Sequence, residues 1–193
     1  ETVTALDEYS ESNLITLACV SIVDPTDWTN DGSGFNVDVT DGTNTYAMRI
    51  DADVDLYGTT APDGVFSVTG IGGQYDSSSP YDEGYQVLPR YMADITESVT
   101  ANFSHTTISG GDTGQDIDVE FSYDGVGAVD FAWEFGDGGT SDEENPTYTF
   151  PWSFVEGAGF TTSAILTVTD EFGCTSTMTV SDVDIAWEGI GEI

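Results

Sequence analysis

The sequence predicts an all-β protein made of two small domains. Apolar and polar residues alternate with a period of two through most of the chain, and Val, Ile, Thr, Phe and Tyr fill these runs. Clusters of Gly, Asp, Asn and Pro separate the runs, whereas helical periodicity is nearly absent. With 193 residues the chain has room for two domains, each able to bury its own core.

The first half contains the pattern of a small barrel. In GFNVDVTDG and TYAMRID every second residue is apolar, and the Asp41-Gly42 pair between them predicts a tight turn. This alternation leaves Arg49 on the polar side. The expected inward side chains of these two strands are Phe35, Val37, Val39, Tyr46, Met48 and Ile50. Three further strands are expected over residues 14–23, 65–71 and 85–91. Five strands with one irregular crossing near residues 53–62 suit a Greek-key barrel of the OB type.

The second half has the pattern of a β-sandwich. The segments DIDVEFSY, VDFAWEF, TYTF, SAILTVTD and STMTVSDVDI are short alternating runs at sandwich spacing. We therefore expect a barrel over residues 14–96, a linker near 95–99 and a sandwich over residues 97–185. The end segments 1–13 and 186–193 are expected to be loose or to pair with another strand.

The charge of the chain narrows its partners. It contains 36 acidic residues and only two strong bases, Arg49 and Arg90, and its formal net charge is −34. Such a surface repels nucleic acid phosphates and anionic membranes, so neither is expected as a partner. No run approaches the roughly 18 apolar residues of a membrane helix. The self-repulsion predicts a saline or calcium-rich setting, because salt and divalent cations screen it.

The first residue and the two cysteines are evidence on where the chain is located in or outside the cell. Residue 1 is Glu rather than Met, so we expect a chain processed by signal-peptide removal and located outside the cell or at its surface. Cys19 and Cys174 allow one bridge within the chain, one bridge between chains, or two buried thiols. The sequence leaves these alternatives open, since it does not supply the Cα separation that a disulfide requires.

Several ordered motifs of the second half resemble the PKD domain. The segment WEFGDGGTSDEENPTYTF, followed by AILTVTDEFGCTSTMTV, is similar to that family's W-D-F-G-D-G turn, E-N-P turn and long strand before an N-G-C-type turn. The resemblance covers residues 99–185 and implies an immunoglobulin-like sandwich that serves as a spacer, adhesion or protein-contact module, without catalysis.

The chain departs from the PKD pattern in two places. Gly110-Gly111 stands where the family often carries a second cysteine. The turn after TYTF is replaced by the apolar insertion PWSFVEGAGFTT, which predicts an assembly contact. The residues expected to make this contact are Pro151, Trp152, Phe154 and Phe160.

The first half resembles the OB-fold-like domains of secreted and surface proteins of Bacteroidetes-type bacteria. The resemblance rests on DGSGFNVDVTDGTNTYAMRIDADVDLYG, FSVTGIGGQYD and GYQVLPRYMADI, and it covers residues 14–96. It implies a binding or spacing unit.

Two acidic loops are candidates for structural calcium, the one cofactor that the sequence suggests. Hard oxygen ligands converging across a loop suit this ion, although the DADVD run has Leu56 where an EF-hand requires Gly. The alternatives are a polar hairpin connection for the first loop and a solvated acidic edge for the second. The candidate ligands are Asp24, Asp27, Asn30 and Asp31 in the first loop and Asp51, Asp53 and Asp55 in the second.

A tyrosine-rich connection is a candidate for carbohydrate binding. Tyr75, Tyr81 and Tyr85 surround QYDSSSPYDEGY, near a rim where OB-type barrels bind ligands. Their rings are expected either to stack on sugars or to pack the loop.

Catalysis is not expected. His105 is the only histidine and has no zinc-binding or nucleophile motif beside it. Carboxylates are too abundant for any pair to indicate glycoside hydrolysis.

These observations favour a non-enzymatic extracellular structural or adhesive protein, either a fibre subunit or a spacer segment. Its expected partners are copies of itself, other surface proteins or glycans, held by strand pairing through ETVTAL and DVDIAW and by the apolar insertion. The alternative is a carbohydrate-binding accessory region of a secreted hydrolase.

Overall fold

The computed structural model describes residues 1–110, 114–158 and 161–185. The chain divides into two compact units, Glu1–Ser98 and Val99–Ile193, and both are nearly all β. The strands of the first unit are β1 (Leu14–Ile22), β2 (Gly34–Thr40), β3 (Thr45–Asp51), β4 (Phe66–Gln74), β5 (Tyr85–Leu88) and β6 (Ile95–Glu97). The described strands of the second unit are β7 (Phe103–Ser109), β8 (Ile117–Tyr123), β9 (Asp130–Phe135), β10 (Thr140–Ser141), β11 (Thr147–Phe150), β12 (Thr161–Thr169) and β13 (Thr175–Asp184).

Five strands of the first unit close into a barrel. They are hydrogen-bonded in the order β1-β2-β3-β5-β4, and β4 returns to pair with β1. The pair β3–β5 is parallel, with Ala47 opposite Gln86, while the other neighbours are antiparallel. Closure pairs each of the five strands with a neighbour on both sides over part of its length, which is how small barrels limit unpaired backbone groups.

Alternation along the strands fills the barrel. The burial patterns of β2 and β3 alternate strictly, as their sequence predicts. Met48 and Ile50 are fully buried, and Arg49 between them lies on the outer face. The residues of this core include Ile15, Leu17, Val37, Val39, Met48, Ile50, Phe66, Val68 and Val87.

Two segments of the first unit differ from the expectation. The chain over residues 95–97, expected as a linker, forms β6, which pairs with Phe66–Val68 of β4. Strand β5 ends at Leu88, because residues 89–94 form a turn and a short 3-10 helix instead. There the buried Asp94 accepts hydrogen bonds from the guanidinium of Arg90, at 3.0 Å from Nε and 2.8 Å from Nη2.

The described part of the second unit has two antiparallel sheets around one core. One sheet has the order β10-β9-β12-β13 and the other has the order β11-β8-β7. Trp133 of β9 is 1% exposed and packs against Phe103 and Phe121, with ring centroids 5.0 and 5.4 Å away. Side chains of both sheets therefore share this core.

The turn after Phe135 is closed by a tyrosine and an aspartate. Tyr148 of β11 donates its hydroxyl to both Asp137 carboxylate oxygens, each at 2.9 Å, and its ring stacks on Phe135 at 3.9 Å. Gly139 is required here, since a Cβ at this position would overlap the Tyr148 hydroxyl. Burial and the neighbouring carboxylate raise the pKa of Tyr148 to about 12.

The apolar insertion forms helix α1 (Trp152–Ala158). Val155 is buried in the sandwich core, and Trp152 and Phe154 are half-buried against it. The backbone N–H of Trp152 donates to Asp116. Much of the insertion therefore completes the core of its own unit.

Both cysteines are disulfide-bonded, so the free-thiol alternative is not found. The expected end segment 186–193 lies outside the described residues. Among the helices that the structure describes, none has the length and apolar character of a membrane crossing.

Candidate ligand-binding groove

The outer face of β2, β3 and β5 forms the floor of a groove of about 510 Å³. Strands of a closed barrel point alternate residues outwards, so the polar positions of neighbouring strands come together here. The groove is lined by Ser33, Asn36, Arg49, Asp51, Tyr75, Gln86 and Leu88.

Arg49 is held at the floor of this groove by three acceptors. Its Nε donates to Asp51 Oδ1 at 3.2 Å, its Nη1 to Asn36 Oδ1 at 3.3 Å, and its Nη2 to the Ser33 carbonyl at 3.2 Å. A guanidinium has about five N–H donors, so donors remain for a ligand or for water. Since the Arg49–Asp51 ion pair is locally neutral, the groove offers hydrogen bonds without adding to the acidic charge of the chain.

Tyr75 forms one wall of the groove. It follows the last residue of β4, its backbone N–H donates to the Gly84 carbonyl at 2.9 Å, and its side chain is 82% exposed. An aromatic ring held by a fixed backbone beside amide and guanidinium groups provides a flat apolar surface next to directional donors and acceptors. This combination suits a ligand that has both an apolar face and hydroxyl groups.

The structure separates the other two tyrosines from Tyr75. Tyr81 has φ +65° and is 55% exposed, and its carbonyl accepts from the Gln74 amide at 2.7 Å, which ties the loop to β4. Tyr85 lines a different hollow, of about 310 Å³. Its hydroxyl donates to Glu8 at 3.1 Å. Partial burial raises the pKa of Tyr85, and the hydrogen bond to the Glu8 carboxylate raises it further. Only Tyr75 of the three lines the groove.

The first predicted calcium loop is stabilised by its own hydrogen bonds. Asp24 accepts from the hydroxyl and the backbone N–H of Thr26, which hold its pKa below the usual value. Asn30 donates to the Thr59 carbonyl and accepts from the Gly58 N–H, so its amide joins two loops. Asp31 accepts from Thr29, and Asp27 is exposed.

The second predicted calcium loop is not extended. The backbone turns directly after β3, with Val54 N–H donating to the Asp51 carbonyl and Tyr57 N–H to the Val54 carbonyl. Asp51 pairs with Arg49, and Asp55 accepts from the Met92 N–H. Asp53 is exposed. The alternation that would have placed these carboxylates on one face does not occur.

No group of three or more His, Cys, Asp or Glu within residues 1–110, 114–158 and 161–185 is arranged to hold a metal ion. The six aspartates predicted as ligands are therefore not brought together as a cluster. His105 packs beside Phe121, with ring centroids 6.1 Å apart.

The predicted assembly residues have different environments. Pro151 is exposed, and the half-buried Trp152 and Phe154 cover the core of the second unit. Phe160 lies outside the described residues.

Sequence reasoning did not identify the floor of the groove as a site. Alternation placed Arg49 on the polar face, but the parallel pairing of β3 with β5 brings Gln86 and Leu88 beside it. That pairing joins segments almost 40 residues apart, and no local pattern encodes it. The sequence did offer one signal for this site. Only two strong bases occur in the chain, and Arg49, one of them, lies on the polar side of a predicted strand.

Comparisons with known proteins add no identification. No protein-family model matches the chain. No curated protein matches its sequence.

Proposed function

We propose that this protein is a non-enzymatic extracellular adhesive protein, and that the groove of its first unit binds a carbohydrate. The observation that carries the proposal is the locally neutral Arg49–Asp51 pair beside the exposed ring of Tyr75. Sugar rings present apolar C–H faces to aromatic rings and hydroxyl groups to planar amide and guanidinium groups.

The charge of the chain selects the class of carbohydrate. A net charge of −34 repels uronic acids and sulfated sugars over distances of about 10 Å at 0.1 M salt. We therefore propose a neutral glycan as the ligand. The same repulsion supports the proposal that nucleic acids and anionic membranes are not partners.

We propose further that the first unit is an OB-type barrel and the second an immunoglobulin-like sandwich of the PKD type. The strand order β1-β2-β3-β5-β4 with closure onto β1 supports the first assignment. Two facing antiparallel sheets with a buried tryptophan support the second. Both resemblances imply spacing or binding rather than catalysis, and both favour a location outside the cell.

The test is a neutral-glycan array followed by calorimetry with the best ligand. Tyr75→Ala is expected to weaken binding about tenfold or more, since an exposed stacking ring contributes on the order of 1–3 kcal/mol in comparable sites. Tyr9→Ala is the matched control, because Tyr9 is 88% exposed in the same unit and does not line the groove. Absence of binding to every neutral glycan, or equal loss in both variants, would contradict the proposal.

A second candidate function is that of a fibre subunit, as the sequence predicted. It is favoured by residues 1–6, which pair with β1 through two backbone hydrogen bonds at Thr16. So short a pairing leaves these residues available to pair with another copy. Electron microscopy of the purified protein at low and high salt tests it, and ordered polymers are expected at high salt.

A further inference from the structure

The first six residues occupy a gap in the wall of the barrel. Strand β2 pairs with β1 only at Ser21 and Ile22, so β2 does not cover the first half of β1. The leading segment (Glu1–Leu6) lies there instead, as a parallel neighbour with Thr2 opposite Thr16.

The leading segment is bonded mainly to one side of this gap. Val3 N–H donates to the Thr16 carbonyl at 2.9 Å, and Thr16 N–H donates to the Glu1 carbonyl at 2.8 Å. On the β3 side a side chain makes the contact, since the Tyr46 hydroxyl shares its hydrogen between Asp41 Oδ2 at 2.7 Å and the Thr4 carbonyl at 3.0 Å. Val3 and Leu6 are half-buried against the barrel core. The core is therefore completed by a segment that a few contacts hold.

Hollows remain on both sides of the leading segment. One of about 310 Å³ lies between residues 4–6 and the start of β3. The other, of about 330 Å³, lies between residues 1–5 and the turn that leads into β1. The segment thus spans the gap without filling it, which reduces the dispersion contacts that keep it in place.

A pivot follows the leading segment. Residues 7–10 form a turn in which Asp7 accepts from the N–H groups of Tyr9 and Ser10. Beyond it the chain is fixed again, since Ser12 N–H donates to the Gly72 carbonyl and Gly72 N–H donates to the Asn13 carbonyl. Gly72 permits this crossing, because a Cβ there would overlap the Ser10 carbonyl. Rotation within the turn of residues 7–10 would release the leading segment and leave β1 in place, because Glu11 is bridged to Gly72.

We propose that the gap beside β1 accepts the leading segment of a second copy of this chain, so that copies join by strand exchange. The hydrogen bonds that hold the segment join residues at least 13 positions apart, so an identical segment from another copy can form the same bonds. Exchange of an identical element is a low-cost route to association, and strand donation is an established way of completing a β-fold.

The charge of the chain makes this exchange dependent on salt. Each copy has a net charge of −34, and Asp7 and Glu8 directly follow the leading segment. Two copies therefore repel one another until the Debye length falls towards about 3 Å at 1 M salt. Association is expected at high ionic strength and not at low ionic strength.

The first experiment tests whether the gap accepts a segment in trans. A variant lacking residues 1–6 is mixed with a fluorescent peptide of sequence ETVTALDE, and binding is measured by anisotropy. The truncated variant is expected to bind the peptide, and the full chain, whose gap is occupied, at least tenfold more weakly. A peptide with Val3→Asp and Leu6→Asp is expected to bind about tenfold or more weakly than the native peptide, because it loses the apolar contacts.

If the truncated variant does not fold, a nicked protein provides the same test. A protease site inserted between Tyr9 and Ser10 is cleaved after folding, so that the leading segment stays bound without a covalent link. Excess labelled peptide is then expected to replace it. If neither the truncated nor the nicked protein takes up the peptide while retaining its near-ultraviolet circular dichroism, the proposed gap is not an acceptor.

The second experiment tests whether the donor is another copy. Thr16→Pro removes the N–H that binds the Glu1 carbonyl and so weakens the acceptor, while residues 1–6 of the donor are unchanged. Mixed in 1 M NaCl, Thr16→Pro and the truncated variant are expected to elute as a one-to-one complex in light scattering, whereas each alone is a monomer. Monomers in the mixture would overturn the proposal, because donor and acceptor would then have been present without joining. Glycan binding by the same mixture is measured separately, so that failure here and failure of the groove proposal can be distinguished.

Discussion

Replacement of Tyr148 by Phe removes one hydroxyl from the turn that closes the second unit. That hydroxyl donates to both oxygens of Asp137, while the ring stacks on Phe135 at 3.9 Å. The ring and its stacking are kept in Phe, so the change isolates the hydrogen bonds to the carboxylate. Hydrogen bonds to charged groups contribute about 1.5–3 kcal/mol, and we expect the lower end because Asp137 is half-exposed.

The pH dependence gives a second, independent magnitude. The pKa of Tyr148 is raised from 10.0 to about 12, so its contribution to stability is fully present below pH 10 and is lost as pH rises towards 12. Two pKa units correspond to at most about 2.7 kcal/mol. The difference in free energy of unfolding between the wild type and Tyr148→Phe should therefore fall by up to about this amount across that window. The other tyrosines are common to both proteins and cancel.

The assay is urea denaturation at several pH values from 7 to 12, followed by tryptophan fluorescence. Trp133 is buried in the same core and reports on this unit. Asp137→Asn provides the second side of a double-mutant cycle, and coupling between the two positions is expected. A difference between wild type and Tyr148→Phe that does not change between pH 9 and 12 would refute the linkage.

Three further outcomes are expected. Arg90→Met should lower the urea midpoint of the first unit, because buried Asp94 loses its bidentate partner. Arg90→Lys should retain part of this stability, and equal losses in the two variants would contradict the bidentate role. Thr162→Val should raise the melting temperature of the second unit by a few degrees, since the buried Thr162 Oγ1 has no hydrogen-bond partner among the described residues. A lower melting temperature would show that the hydroxyl is satisfied. Sodium chloride should raise the melting temperature as much as calcium chloride of equal ionic strength, because screening of a net charge of −34 requires no specific site; a larger effect of calcium that a chelator reverses would indicate a bound ion.

The strands were predictable because each has a local pattern. Strict alternation in β2 and β3 predicted which residues face the core, and burial alternates over residues 35–39 and 46–50 as the sequence requires. The short strand β6 was missed, since residues 95–97 contain too few residues to show a period and form a strand only through pairing with β4. Helix α1 was missed for a related reason. Its seven residues are too few for helical periodicity, and tertiary packing of Val155 stabilises it.

The groove was less predictable than the strands. Its floor combines residues of β2, β3 and β5, and the parallel pairing that joins them depends on how the barrel closes. In contrast, the sequence predicted each candidate site from one loop, whose residues are close together along the chain. A loop can supply such residues with hydrogen-bonding partners of its own, as Thr26 does for Asp24.

The acidic residues show how turn chemistry accounts for segments that are rich in carboxylates. In a chain with two strong bases, several aspartates accept hydrogen bonds from backbone N–H groups of the turns in which they lie. Asp41 accepts from the N–H groups of Thr43 and Asn44 and from the Tyr46 hydroxyl, and these bonds lower its pKa. The same arrangement recurs at Asp7, Asp24, Asp76, Asp137 and Asp170. Each of these aspartates accepts a hydrogen bond from the backbone N–H two residues after it, which is the geometry of an Asx turn.

A carboxylate used in this way has fewer lone pairs for a metal ion, so the density of acids in a segment indicates turns more strongly than it indicates calcium. The two arginines are better guides to structure than the acids, because they are rare and each is held by more than one acceptor oxygen. Arg49 lies at the floor of the groove.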